Sequence, residues 1–123
     1  MSLEKPIGPE AILEKKKKYI MPCLAHFYKE PRQFVKGEMQ YLFDSEGRKY
    51  LDCFAGVSVI NCGHCNPEIN AEVVKQVQSL QHVCNTYLTE NFVNLAEKLA
   101  EVTPGDMQKT FFCSTGTEAN EGA

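Results

Sequence analysis

The spacing of apolar residues along the chain changes repeatedly, and each change marks an element. Residues 9–19, PEAILEKKKKY, predict a short helix with Pro9 in its first turn, where a missing N–H costs little. Pro22 and Pro31 interrupt the following IMPCLAHFYKEPRQF, which predicts an irregular arm. Its Phe27, Tyr28 and Phe34 need an apolar surface to lie on, such as a neighbouring subunit. Alternation then takes over. Met39, Tyr41 and Phe43 alternate with Gln40 and Leu42, Gly47 supplies a turn, and Lys49, Tyr50 and Leu51 resume the extended pattern. GEMQYLFDSEGRKYLDCF therefore predicts two paired antiparallel strands. The next stretch, AGVSVINCGH, reads as a strand or as a packed loop ended by Gly63.

Beyond Gly63 the period becomes helical. Asn66-Pro67 is a helix start, with a side-chain acceptor at the cap and proline at the first helical position. Ile69, Val73, Val74, Val77 and Leu80 then share one face. Thr89 is placed to cap a second amphipathic helix bearing Phe92, Val93, Leu95, Ala96, Leu99 and Ala100, which Thr103-Pro104-Gly105 ends. Residues 109–113 are short, apolar and extended, predicting a buried strand that reaches Ser114. Helices, then a buried strand, then a new helical start point to an α/β layer.

Charge narrows the functional classes. Thirteen Lys plus Arg against sixteen Asp plus Glu give a formal charge of -3, no basis for nucleic-acid binding. The Lys15–Lys18 run predicts a solvated helix face. No stretch approaches the ~20 apolar residues needed to cross a bilayer, and no basic leader precedes a long apolar region, so a cytoplasmic protein without a membrane partner is expected. In that setting Cys23, Cys53, Cys62, Cys65, Cys84 and Cys113 are expected to be mostly reduced, buried small residues.

Two stretches invite chemistry. Cys62-Gly63-His64-Cys65 has ligand types for zinc, but no second ligand pair is suitably spaced, and no metal site is assigned. His64 is expected to be a hydrogen-bonded structural residue. Ser114-Thr115-Gly116-Thr117 has another use. A glycine there permits a sharp turn and close backbone approach, and the first N–H groups of the following helix lack internal acceptors. Hydroxyls on Ser114, Thr115 and Thr117 add donors, so the turn reads either as an anion cup or as an ordinary helix capped by Ser or Thr. The lysine and longer spacing of a nucleotide P-loop are lacking. Glu118 is accounted for by its favourable place in the first helical turn.

FFCSTGTEANEGA, residues 111–123, resembles the segment of class III pyridoxal-phosphate aminotransferases in which a strand ends at a Ser-Gly-Ser/Thr-Glu-Ala type turn. YLFDSEGRKYLDCFAGVSVINCGHCNPEI upstream resembles the same family's N-terminal hairpin and its Gly-His-x-x-Pro loop. The look is nearest to the 4-aminobutyrate, ornithine, acetylornithine and alanine–glyoxylate branch. The resemblance implies an α/β, fold type I transferase, of which the chain supplies the front portion. Residues 1–36 would form the N-terminal helix and arm, 37–66 the hairpin and loop of the small domain and interface, and 67–123 the opening of a truncated large domain.

It further implies pyridoxal 5'-phosphate as cofactor, an amino donor and a 2-oxo acid acceptor as partners, and a homodimer. Thr115, Gly116 and Thr117 fall where relatives hold the cofactor phosphate, with Ser114 beside them. Many relatives carry Asn-Ser-Gly-Ser or Asn-Ser-Gly-Thr here, so the glycine register matches while the hydroxyl pattern before it differs. Val57 matches a substrate-bordering position that core packing would explain equally, and Tyr41 an occasional substrate neighbour. The family's catalytic lysine, ring-pairing aspartate and substrate arginine lie downstream of the phosphate turn, so no catalytic residue is assigned and 1–123 alone is expected to be inactive. An aminomutase, a decarboxylase, a phospho-lyase and a non-catalytic dimerisation fragment remain alternatives.

Overall fold

The computed structural model describes residues 5–26 and 28–123; the expected contact of Phe27 lies outside them. The described chain mixes helix and sheet and divides into two units, 1–79 and 80–123.

In the first unit, α1 spans Pro9–Tyr19 with proline in its first turn and Lys16, Lys17 and Lys18 in its last, where cations suit the exposed carbonyls. An irregular segment leads to a three-stranded antiparallel sheet in the order β1 (Phe34–Glu38), β2 (Tyr41–Asp44), β3 (Lys49–Leu51). The β2–β3 hairpin is the expected one, with Leu42 opposite Tyr50 and Gly47 at a φ of 81° in its turn. The strand β1 departs from the sequence pattern, which places Phe34 in the arm. It pairs Gly37 with Leu42 and Glu38 with Tyr41, joined through Met39 and Gln40, with Met39 at a φ of 50°.

AGVSVINCGH forms no strand. Its first four residues make a single turn, α2 (Ala55–Ser58), that is left-handed, with φ of 49° at Ala55, 61° at Gly56, 66° at Val57 and 62° at Ser58. Three of these are not glycine, and one is β-branched, for which a positive φ is a strained exception. The following helix α3 spans Pro67–Ser79, and the Asn66 Oδ1 accepts from the Glu68 amide at 3.0 Å, as the sequence predicts.

The second unit contains α4 (Glu90–Val102) and α5 (Gly116–Gly122). Thr89 occupies the cap position of α4, yet its side chain makes no capping hydrogen bond. Residues 109–113 form no strand among the described residues, and Phe111 is 83% exposed, so the expected buried strand is absent. A strand needs neighbours to take its N–H and C=O groups, and none is supplied. Phe112 instead meets Phe92 of α4, ring centroids 4.8 Å apart.

No hydrophobic residue is buried among the described ones; Asp44, at 4% exposed, is the sole buried polar or charged residue. The apolar face of α3 lies open at Ile69, Val73, Val74 and Val77. All six cysteines are free, and they are exposed rather than buried as expected, since no hydrophobic core forms among the described residues.

Order near the sheet comes from polar groups. The Asp44 carboxylate accepts from the Glu46 and Arg48 amides, from Arg48 Nε at 3.0 Å and from the Tyr50 hydroxyl at 2.8 Å. Burial pushes this carboxyl up, but the bond from Tyr50 and those from Arg48 and Glu46 outweigh it and hold it at about 2. One short side chain thereby ties the β2–β3 turn shut.

Candidate functional site

The turn before α5 is built by a reciprocal cap. Thr115, extended at φ -138° and ψ 155°, accepts the Glu118 amide on its Oγ1 at 3.2 Å. The Glu118 carboxylate turns back and accepts the amides of Ser114 at 2.8 Å and Thr115 at 3.0 Å. This is the capping box that Thr-x-x-Glu encodes. It gives Glu118 a second purpose beyond its charge.

The cap consumes some donors and leaves others. Among the described residues, the amides of Gly116 and Thr117 have no acceptor, and the hydroxyls of Ser114 and Thr117 make no hydrogen bond. These four donors cluster on one turn, and a phosphate oxygen suits them. At Gly116, a Cβ would meet nothing within 4 Å, and the φ is not left-handed. The expected need for glycine to make the turn is therefore corrected: the backbone there suits any residue. What remains is access, since a bare Cα lets an anion approach the amides. The residues present fit the phosphate end of a pyridoxal cofactor.

Val57 and Tyr41 belong to the first unit, Ser114 to Thr117 to the second. Val57 sits in the left-handed turn and is 70% exposed. Tyr41 on β2 has Lys49 Nζ 3.5 Å from its ring centroid, a cation–π contact. Lys36 is also engaged, bonded to Glu38 Oε2 at 2.6 Å.

A polar pair escapes the sequence reading. His64 Nε2 donates to Asp52 Oδ2 at 2.6 Å, with these side chains only 19% and 9% exposed. An ionised carboxylate only accepts, so the proton lies on Nε2. Asp52 Oδ1 meanwhile accepts the amides of Phe54 and Ala55, both at 2.9 Å. The bond from His64, then those from Ala55 and Phe54, lower the Asp52 carboxyl against the opposing effect of burial. His64 is the hydrogen-bonded structural residue that the sequence leads one to expect. Its partner has no sequence signal, because Asp52 lies twelve positions away at the end of a hairpin. A cavity of about 300 Å³ is lined by Met39, Asp52, Ala55, Ile60, Cys62 and His64; neither Val57 nor Tyr41 reaches it. Among the described residues, no group of three or more His, Cys, Asp or Glu is placed to hold a metal.

Residues 25–123 match the family described as aminotransferase class-III. An alanine–glyoxylate aminotransferase 2 homologue from Arabidopsis thaliana, named as mitochondrial, is 47% identical over 116 residues, covering 93% of this chain and 24% of that protein. Among solved structures, a phospholyase from Arthrobacter in complex with phosphoethanolamine superposes with a TM-score of 0.81 at 30% identity, covering 89% of this chain and 25% of its own. An omega transaminase from Pseudomonas jessenii in complex with PMP gives a TM-score of 0.72 at 28% identity, covering 89% and 25%. The chain thus spans about a quarter of the length of these relatives and shares the fold of pyridoxal-phosphate-dependent transaminases over that part.

Proposed function

This chain belongs to the class III aminotransferases, a pyridoxal-phosphate-dependent family, and from that premise we propose that the whole protein moves an amino group from an amino acid or ω-amino donor to a 2-oxo acid. The observation that carries the reading is the family match, which runs unbroken from residue 25 to residue 123. The free donors at Gly116 and Thr117 support it independently of sequence similarity. A homodimer is proposed with it, as is the division into an arm (1–36), a small-domain hairpin (37–66) and the opening of a large domain (67–123).

In this reading the amides of Gly116 and Thr117 and the Thr117 hydroxyl hold the cofactor phosphate, with Ser114 as an outlying donor and Thr115 shaping the turn through its cap to Glu118. Val57 borders the amino donor and Tyr41 flanks it. Pyridoxal phosphate supplies, when bound, the electron-withdrawing ring that makes chemistry at the amine carbon accessible. The residues of this chain bind and orient; proton transfer is assigned to none of them. Lys36 and Lys49 have other partners, the Glu38 carboxylate and the Tyr41 ring.

The test uses purified full-length protein. Visible and near-ultraviolet absorbance should reveal bound cofactor, and a 2-oxo acid should be converted mole for mole with the donor. Gly116→Val should weaken cofactor retention more than Cys62→Ser or Cys65→Ser, because its side chain enters the phosphate's approach. Thr117→Ala should be milder, losing one bond to a charged group, roughly 1.5–3 kcal/mol. Cofactor retention by Gly116→Val equal to wild type ends the phosphate-turn reading.

The Arthrobacter neighbour favours a second reading, elimination of phosphate from an amino-alcohol phosphate. Phosphate release from phosphoethanolamine without consumption of a 2-oxo acid separates it from transamination.

A further inference from the structure

The left-handed turn α2 carries Val57 in a conformation its own residues disfavour. Ala55, Val57 and Ser58 hold φ of 49°, 66° and 62°, where an L-residue with a Cβ meets the following carbonyl. Such a segment persists only where its surroundings over-determine it. Three contacts do so. Asp52 Oδ1 takes the Phe54 and Ala55 amides at the entry to the turn. At the exit, the Val59 and Ile60 amides donate to the Ala55 carbonyl at 2.9 and 3.0 Å. His64, bonded through Nε2 to the other oxygen of Asp52, is itself fixed: its amide and carbonyl exchange bonds of 2.7 and 2.8 Å with Met39. One carboxylate thereby joins the start of the turn to the β1–β2 connection through His64.

We propose that Asp52 and His64 are a positioning pair for donor recognition: they hold the left-handed turn Ala55–Ser58 so that Val57 borders the amino donor. The inference rests on the aminotransferase reading given above. It gives the pair no proton to transfer and no contact with substrate. Both side chains are mostly shielded from water, so the ion pair or hydrogen bond between them is weakly screened and directional. An exposed pair of this kind would have too little strength to constrain a strained turn.

The experiment uses the full-length holoenzyme with Asp52→Ala, Asp52→Asn, His64→Ala and Val57→Ala. Amide hydrogen exchange at Val59 and Ile60 reports the turn directly. Exchange there should rise about tenfold in Asp52→Ala and His64→Ala and stay unchanged in Val57→Ala. Asp52→Asn retains a carbonyl oxygen for the Phe54 and Ala55 amides, and it should fall between wild type and Asp52→Ala. In the same variants KM for the amino donor should rise about tenfold, with kcat within about twofold and the cofactor dissociation constant unchanged. Faster exchange without any change in donor KM makes the pair merely structural and overturns the proposal; so does unchanged exchange in the two alanine variants. A wild type that holds cofactor but releases phosphate without consuming a 2-oxo acid defeats the aminotransferase reading alone, and the KM comparison is then decided on the lyase substrate. A wild type inactive on every amine defeats both.

Discussion

Gly37→Ala tests whether the sheet and the His64 loop are locked together as described. A Cβ built on Gly37 lies 2.7 Å from His64 Cβ, 3.0 Å from its Cγ and 3.3 Å from its Nδ1. Carbon atoms prefer about 3.5–4.0 Å, so the new methyl sits roughly 0.8 Å too close. His64 has little room to retreat, being bonded to Met39 on both backbone sides and to Asp52 through its ring. Overpacking of this kind costs about 1–3 kcal/mol. Alanine recovers about 0.5–1 kcal/mol in a strand, since glycine loses more freedom on folding. At mid-range the clash wins, and the difference between the two effects leaves roughly 1 kcal/mol of local destabilisation. In the full-length protein, hydrogen exchange at the Met39 and His64 amides should then accelerate about fivefold. A double-mutant cycle sharpens the sign. On a His64→Gly background the opposing Cβ is gone, and Gly37→Ala should become mildly stabilising. Slower exchange in the single variant, or the same response in both backgrounds, would refute the packing argument.

Three further outcomes follow from local geometry. Val57→Gly removes a left-handed penalty of about 1–2 kcal/mol at a side chain already 70% exposed; after the entropic cost of glycine the turn should gain about 0.5–1 kcal/mol, read as slower exchange at Val59, and faster exchange contradicts it. Asp44 has its carboxyl held at about 2 against an ordinary 3.8, so its contribution is present above pH 3.8 and lost as pH falls through about 2. Denaturant midpoints of wild type and Asp44→Asn should accordingly converge on acidification, and a gap that is constant from pH 7 to pH 2 counts against the assignment. Thr115→Ala deletes the acceptor of the Glu118 amide, and loss of an N-cap costs about 1 kcal/mol. Exchange at Glu118 should rise about fivefold; an unchanged rate means the capping box is not formed in solution.

What can be read in the sequence is what neighbouring residues decide among themselves. The β2–β3 hairpin follows from alternation on either side of Gly47, and Asn66-Pro67 starts α3 because its acceptor and donor are two residues apart. The strand β1 is hidden because Gly37 interrupts its pattern, and its local pairing with β2 turns through Met39 at a φ of 50°, which a non-glycine residue seldom adopts. In AGVSV the β-branched residues suggest a strand, but β propensity loses to the Asp52 carboxylate, which satisfies the first amides of the turn α2. At the turn before α5 a Ser or Thr cap is legible from the motif, and Thr115 is that cap. The reason for Gly116 is not legible, since the backbone there turns out to be unstrained.

Polar and apolar groups of the described chain are satisfied in different ways. The carboxylates that matter, Asp44, Asp52 and Glu118, find their donors within twelve positions, on the same turn, the paired strand or the adjoining loop. Their bonds close locally and leave no buried side-chain polar atom unpartnered among the described residues. Apolar residues behave differently. Val73, Val77 and Phe92 are placed by helix period, yet each remains exposed, because burial needs a second surface and short-range bonding cannot provide one. Polar clusters therefore set the geometry of the β2–β3 turn, the left-handed turn and the turn before α5. Substitutions among these polar groups should act locally, whereas those on the apolar faces should report on whatever surface covers them in the whole protein.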